Sequence, residues 1–240
     1  MRIAIDAGHG LNTDGKRCLA AFDPEETPEW RLNDRVASYA ATELRRMGFD
    51  VVRTDDVTGV QDQPVSLRAA AANRTGCDYF ISIHHASGIG GRSGGGITVY
   101  THPDPDPAAL HLRNILYDSV IAETGLTGNR TEPLKYANFQ VLREANMPAA
   151  LIECGFMDSR TETPRVLSDS FARSVARGIV RAVRQLGQVP YIPVLTFTPS
   201  MARAAQKIQT KTGLGDQAIA YLMQSPHADQ LIEKLADAMH

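Results

Sequence analysis

The chain has 240 residues, of which 43% are hydrophobic and 22% charged, a composition typical of folded globular proteins rather than disordered or fibrous ones. A formal net charge of −2 argues against a nucleic-acid-binding protein, and three widely spaced cysteines (Cys18, Cys77 and Cys154) predict buried free thiols instead of disulfides or a thiolate metal site. The N-terminus has no signal-peptide features and no apolar run is long enough to span a bilayer, so we expect a chain synthesised in the cytoplasm.

The first half of the chain alternates apolar runs with amphipathic segments. The predicted strands are residues 3–6, 51–54 and 79–83. A helix is predicted over residues 29–47, because leucine, valine and alanine side chains recur every fourth position before Gly48. A shorter, alanine-rich helix is predicted over residues 66–74.

The second half opens with six glycines in residues 88–96, too many for a regular element. Two interpretations remain open for this segment: a flexible loop on the substrate side, or a plain connecting loop. The predicted strands that follow are 97–100, 139–142 and 149–152. The predicted helices are 108–123 and 171–186.

Strands that alternate with helices in this order predict an α/β fold with a mostly parallel central sheet and helices on both faces. We assign residues 1–187 to a catalytic domain. Residues 188–199 contain three prolines and are predicted to be a linker. Residues 200–240 are predicted to form a small domain of three short helices that packs on the main domain, binds a partner, or assembles the chain into a homo-oligomer.

Four side chains indicate a chemistry: His9, Glu29, His84 and Glu153. Three of them lie where an apolar, β-rich run ends, which is the edge at which open α/β sheets bind ligands, and Glu29 begins the helix between them. Each alone has an ordinary structural explanation. Glu29, for example, would complement the helix dipole from the first turn of its helix. Together they match an open zinc site of two histidines and one carboxylate, with a further carboxylate to move protons. The pattern predicts a zinc hydrolase.

A resemblance to a known family makes this hypothesis specific. Four segments resemble, in order, the motifs of the zinc-dependent N-acetylmuramoyl-L-alanine amidases of bacterial wall-remodelling enzymes and phage endolysins: Asp6–Gly10 (DAGHG), Glu29–Asn33 (EWRLN), Ser82–His84 (SIH) and Pro148–Phe156 (PAALIECGF). The resemblance extends from residue 1 to about residue 187. It implies that Zn²⁺ is bound by His9, Glu29 and His84, and that Glu153 is the catalytic carboxylate.

The resemblance also implies the substrate. The family cleaves peptidoglycan between the lactyl group of N-acetylmuramic acid and L-alanine, which frees the stem peptide from the glycan strand. Zinc lowers the pKa of bound water toward about 7 and polarises the carbonyl oxygen, so an unreactive amide becomes susceptible to attack. Glu153 is expected to take the proton of that water and return it to the departing amine of alanine.

Several residues offer alternatives to this assignment. His85 adjoins His84, and Glu25 and Glu26 precede Glu29 in the same loop. The family often has an asparagine where this chain has Ala86, so a contact to substrate is expected to be missing there. Four histidines fit no motif and are predicted to be surface residues: His102, His111, His227 and His240. Five polar side chains are either solvated or meet carboxylates of the stem peptide: Arg130, Lys135, Asn138, Gln140 and Arg143.

Three other functions compete with the amidase. A thiol hydrolase would use Cys154 as its nucleophile, but the adjacent Glu153 disfavours the thiolate. A non-catalytic wall-binding module and a zinc peptidase that cuts within the stem peptide are the others. A wall hydrolase without an export signal is typical of a phage or prophage endolysin that reaches the wall through a holin-type membrane lesion, or of an enzyme released by lysis. Under this hypothesis residues 200–240 are expected to be a small wall-targeting or oligomerising domain.

Overall fold

The computed structural model describes residues 1–187 and, further along, residues 207, 208, 211, 212 and 234. The chain divides into two units, Met1–Val189 and Pro190–His240. The linker predicted at 188–199 and the helical domain predicted at 200–240 lie outside the described residues, those five apart. Their roles in wall binding or self-association therefore stay predictions.

A six-stranded sheet forms the centre of the first unit, with strand order β2-β1-β3-β6-β4-β5. The strands are β1 (Arg2–Ala7), β2 (Asp50–Arg53), β3 (Tyr79–Ala86), β4 (Ile97–Thr101), β5 (Leu134–Tyr136) and β6 (Ala149–Phe156). All neighbouring pairs are parallel except β4 with β6. The predicted mostly parallel α/β fold is therefore confirmed.

Helices cover both faces of this sheet. They are α1 (Glu29–Arg46), α2 (Val65–Thr75), α3 (Pro107–Thr124), α4 (Gln140–Glu144), α5 (Thr163–Val166) and α6 (Asp169–Leu186). Apolar side chains of α1, α3 and α6 pack with Ile81 and Ile83 of β3 in the larger core. Side chains of α2 and α4 pack with Phe80 on the opposite face. This division follows from the alternation of side chains along a strand that is buried on both sides.

Local signals fix where the longer helices start and stop. Asp106 accepts a hydrogen bond from the backbone N–H of Ala109 at the start of α3, and Ser168 does the same for Phe171 at the start of α6. α2 ends at Gly76 and α3 ends at Gly125, both in the left-handed conformation that glycine adopts without strain.

One predicted strand is wrong. Residues 139–142 were expected to be extended, but residues 140–144 form the short helix α4. Val141 and Leu142 are buried on the second face of the sheet, and Gln140 donates a hydrogen bond to Glu144 one turn later. A four-residue apolar run fits a buried helix turn as well as a strand, so periodicity could not distinguish them. The short elements β5 and α5 were not predicted.

The glycine-rich segment 88–96 is held by hydrogen bonds to the chain that follows β6. The backbone N–H groups of Gly88, Ile89 and Gly90 all donate to one carboxylate oxygen of Asp158, at 2.8–2.9 Å. Gly96 donates to Glu162 at 2.8 Å. These contacts favour the plain connecting loop over the flexible loop on the substrate side.

The reversed strand β4 decides what lies at the edge of the sheet where β1, β3 and β6 end. Because β4 is antiparallel to β6, with Ile97 opposite Cys154, it begins at that edge. β5 is parallel to β4, so the residues just before Leu134 lie at the same edge, and those after Tyr136 lie at the opposite one. Among the described helices, none combines the length and apolarity needed to cross a membrane.

Candidate active site

Four elements bring the predicted site residues to one edge of the sheet. His9 follows β1, Glu29 is the first residue of α1, and His84 and Glu153 lie directly opposite each other on β3 and β6. Glu29 is buried, with 1% of its surface exposed. Residues separated by up to 144 positions therefore share one small region because parallel strands end at a common edge.

The imidazoles of His9 and His84 flank the Glu29 carboxylate. Nε2 of His9 lies 3.4 Å from one oxygen of Glu29, and Nδ1 of His84 lies 3.1 Å from the other. Ligand atoms of the three side chains all lie within 4.8 Å of one another, close enough to share one metal ion. Two neutral nitrogens and one carboxylate are the donor set of an open zinc site.

Gly8 makes room for the His84 ring. A Cβ at position 8 would lie 2.0 Å from Cε1 of His84, so any other residue there would push the imidazole out of the cluster. The glycine before His9 is thus required by close approach of the β1 loop to a side chain of β3.

Asn33, one turn after Glu29 in α1, connects the site to its supports. Its amide nitrogen donates to the backbone oxygen of Gly8 at 3.0 Å and to Glu29 at 3.3 Å, and its oxygen lies 2.8 Å from Nδ1 of His85. Such contacts orient ligand side chains before a metal arrives. The sequence offered only the spacing between Glu29 and Asn33 as a signal for this role.

Arg68 of α2 fixes the loop that carries His9. His9 has a φ of 67°, a left-handed conformation that is unfavourable for a residue with a side chain. The guanidinium of Arg68 donates to the backbone oxygens of Ala7 (2.6 Å) and His9 (2.8 Å) and pairs with Asp6 and Asp62. No periodicity or motif in the sequence indicates this role for Arg68.

We expect Arg68→Met to lower the free energy of unfolding by about 3–5 kcal/mol, because it leaves the buried carboxylate of Asp6 without its charged partner. Denaturant titration measures this change. Arg74→Met, an exposed position in the last turn of the same helix, is the matched control and should change stability by less than about 0.5 kcal/mol. Equal stability of the two variants would contradict the anchoring role.

Electrostatics keeps Glu29 ionised and His9 neutral, the states in which these two groups can bind a cation. Burial raises the pKa of Glu29, but the hydrogen bond and charge of His84 and the charge of His9 outweigh it and lower the pKa to about 2. Burial lowers the pKa of His9 to about 4, so its imidazole is neutral at pH 7. Burial also lowers the pKa of His84, whereas its contact with Glu29 raises it, and the net direction is upward.

Glu153 has the opposite character to Glu29. Burial raises its pKa to about 7, only partly offset by the charge of His84, while the charge of Glu29 adds to the rise. Its Oε2 is buried and makes no hydrogen bond among the described residues. A carboxylate near neutrality with an unpaired oxygen is suited to accept and return a proton.

This raised pKa predicts a pH-dependent cost in stability for the metal-free protein. A carboxyl whose folded pKa is about 7 and whose unfolded pKa is 4.5 stabilises the fold at low pH, and that contribution is lost as the pH rises through 7. We therefore expect Glu153→Gln to gain about 2–3 kcal/mol over the natural chain between pH 5 and pH 8. Denaturant unfolding in the presence of a chelator measures it; a pH-independent difference would refute the assignment.

The rival ligands lie elsewhere. Glu25 and Glu26 are exposed and do not join the metal cluster. His85 is buried, and its ring contacts Asn33 while its backbone N–H donates to Glu29 at 3.2 Å. Of the four histidines outside the motifs, His111 is exposed, His102 is half-buried and contacts Asp104, and His227 and His240 lie outside the described residues.

Topology separates the candidate substrate-binding side chains. Asn138, Gln140 and Arg143 follow β5 and lie at the edge opposite to the cluster, where Arg143 donates to Asn138 and lines a pocket with Pro148. Lys135 is in the middle of β5. Arg130 precedes β5 and is the member of this group at the edge that holds Glu153.

Cys154 is unsuited to nucleophilic chemistry. It is fully buried, and burial together with the charges of Glu153 and Glu29 raises the pKa of its thiol well above the ordinary value. Cys18 and Cys77 are also buried and free, as predicted. The thiol-hydrolase alternative therefore lacks the accessible thiolate that it requires.

Comparisons with known proteins agree with this geometry. The family model described as N-acetylmuramoyl-L-alanine amidase matches residues 3–185. The amidase CwlM of Bacillus licheniformis is 33% identical over 180 residues, which are 74% of this chain and 65% of that protein. The endolysin of Bacillus phage SPP1 is 25% identical over 235 residues, covering 97% of this chain and 80% of the endolysin.

Among solved structures, the N-acetylmuramoyl-L-alanine amidase from Clostridium difficile 630 is similar with a TM-score of 0.70 and 26% sequence identity. The similarity covers 79% of this chain and 98% of the solved one. The shared part therefore corresponds to the sheet and helices described above.

Proposed function

The chain belongs to the N-acetylmuramoyl-L-alanine amidase family, and from this premise we propose that it is a zinc hydrolase acting on peptidoglycan. The bond cleaved is the amide between the lactyl group of N-acetylmuramic acid and L-alanine. Zn²⁺ is held by His9, Glu29 and His84, and Glu153 is the general base and acid.

The convergence of the three ligand atoms within 4.8 Å, next to a carboxyl with an unpaired buried oxygen, carries this proposal. The donor set fits zinc, because the two histidines and one glutamate match the His₂Glu composition of catalytic zinc sites. When bound, the metal supplies an activated water and polarises the amide carbonyl. Asn33 and Arg68 hold Glu29 and the His9 loop in place before the metal binds.

Glu153 moves the proton in this scheme. Its carboxylate accepts a proton from the attacking water and donates it to the nitrogen of alanine as the amide bond breaks, so the amine leaves neutral. Burial favours the protonated form, which makes the carboxylate a stronger base toward the attacking water. Glu29 stays ionised throughout because its pKa is lowered to about 2.

Product analysis of digested, purified cell walls tests the reaction. An amidase releases stem peptides that begin with a free L-alanine amine and leaves glycan strands without peptides, which mass spectrometry identifies. Fragments cut inside the stem peptide would instead establish the zinc peptidase, and binding without release would establish a wall-binding module. We expect the zinc-loaded chain to give intact stem peptides.

We further propose that the chain works as an endolysin. The match to the phage endolysin runs over 235 residues and so extends beyond the amidase domain into the C-terminal segment. The helical segment predicted after residue 199 is proposed to bind the wall or to assemble the chain. Added to cells permeabilised by a membrane lesion, the full chain should cause rapid loss of turbidity, and no effect on such cells would contradict this role.

A further inference from the structure

Arg130 is a cation at the catalytic edge whose guanidinium has no hydrogen-bond acceptor among the described residues. Its guanidinium makes no hydrogen bond and no salt bridge within the described part of the chain, although its Nε is buried. Its Cζ lies 4.7 Å from the centroid of the Phe156 ring, so an aromatic face supports it from one side. Buried N–H donors are almost always paired in native proteins, so the buried Nε indicates an acceptor supplied by a ligand.

The segment that carries Arg130 is held firmly. The neighbouring Asn129 accepts a hydrogen bond from the backbone N–H of Gly95 at 3.0 Å. Gly96 and Gly128 pack so closely that a Cβ on Gly96 would lie 2.7 Å from the Cα of Gly128. Arg130 therefore lies in a segment that backbone contacts hold in place. An immobilised guanidinium loses little conformational entropy when it binds a ligand, which favours specific binding.

The charge of Arg130 reaches the catalytic group without forming an ion pair with it. It offsets a small part of the rise that burial causes in the pKa of Glu153 and of Glu162. Glu162 is already satisfied by the backbone N–H groups of Gly96 and Phe156, at 2.8 and 2.9 Å. Arg130 lies over Phe156, which follows Glu153 by three residues in β6, and no carboxylate among the described residues pairs with its guanidinium.

We propose that Arg130 binds a carboxylate of the stem peptide, on the residue that follows the alanine released by hydrolysis; this rests on the proposed function. A fixed guanidinium fork matches a carboxylate better than any neutral group. Phe156, which supports the guanidinium, lies three residues beyond Glu153 in β6, and one residue of extended chain spans at most about 3.6 Å, so we place the group one residue beyond the cleaved amide next to Arg130. Arg130 is thus a specificity-determining residue.

Peptide binding to the zinc-loaded full chain tests this without turnover. The probes are two synthetic stem peptides, L-Ala-γ-D-Glu-L-Lys-D-Ala with the D-glutamate α-carboxylate either free or amidated, titrated by calorimetry. We expect the free carboxylate to bind about 10- to 100-fold more tightly, as for a charge-assisted pair. Arg130→Gln should abolish this preference, and Arg130→Lys should restore part of it. The matched control is Arg143→Gln, at the opposite edge, which should keep the preference in full.

Equal weakening of both peptides by Arg130→Gln would overturn the inference, because it would show a structural role. The same holds if the natural chain does not distinguish the two peptides. Kinetics on the matching muramyl peptides gives a second test: KM should rise only for the free carboxylate, with kcat unchanged, and a fall of kcat on both would count against recognition. Absence of hydrolysis would refute the proposed function alone, because the binding preference needs no catalysis.

Discussion

Replacing Glu153 by glutamine should reduce kcat for peptide release from cell walls by about 10²- to 10⁴-fold, the usual contribution of a general base and acid. Glutamine keeps the size of the side chain, so the buried surroundings at the end of β6 remain filled. It cannot accept and return the proton of the attacking water. Because the ligand set is untouched, zinc binding should be retained and KM should change little.

Two measurements test this prediction. Metal content after dialysis establishes whether Glu153→Gln still holds zinc, and steady-state kinetics gives kcat. Glu144→Gln is the matched control, since Glu144 pairs with Gln140 at the opposite edge and should leave kcat unchanged. A variant that loses both zinc and activity would assign Glu153 to the ligand set, and a variant with undiminished kcat would exclude it from the chemistry.

Replacing Glu29 by glutamine should remove high-affinity zinc binding and reduce hydrolysis to background. The carboxylate bridges both imidazoles, at 3.4 and 3.1 Å, and is the negative charge of the cluster. Zinc at 100 times its dissociation constant stabilises the folded natural chain by about 2.7 kcal/mol. For a protein of this size that corresponds to a rise of roughly 5–10 °C in Tm, which Glu29→Gln should lose.

Thermal unfolding with and without zinc measures the effect of Glu29→Gln. Glu25→Gln is its control, because Glu25 belongs to the same loop and is exposed outside the cluster. It should keep the full zinc-dependent rise in Tm, and chelation should abolish the activity of this control and of the natural chain alike. If Glu25→Gln lost the shift while Glu29→Gln kept it, the ligand assignment would be wrong.

The sequence predicted the elements whose signals are local and repeated. Helix α1 was expected over 29–47 and spans Glu29–Arg46, because a leucine, valine and alanine stripe with a terminal glycine fixes both period and end. The continuous apolar run before His84 likewise identified a strand covered on both faces. His9, His84 and Glu153 could be related to one edge because strand ends converge in α/β sheets.

The features that the sequence did not predict depend on contacts between distant segments. β5 has three residues and no alternation, so only its pairing with β4 defines it. Arg68 lies 59 positions from His9, and its role exists only through hydrogen bonds to backbone oxygens of another element. Arg130 could not be distinguished from Arg143 until the antiparallel direction of β4 placed them at opposite edges.

Because β4 runs antiparallel to β6, the two halves of the sheet contribute different parts of the site. The proposed metal-binding and catalytic side chains come from β1, β3, β6 and the start of α1. The opposing rim of the site is formed by the stretches on either side of β4, which pack together where Gly96 contacts Gly128. Because the rim supplies none of the metal-cluster side chains, its sequence can diverge without redesign of the reactive half. Substitutions within residues 125–133 therefore change the surface beside Glu153 without replacing any side chain of the metal cluster.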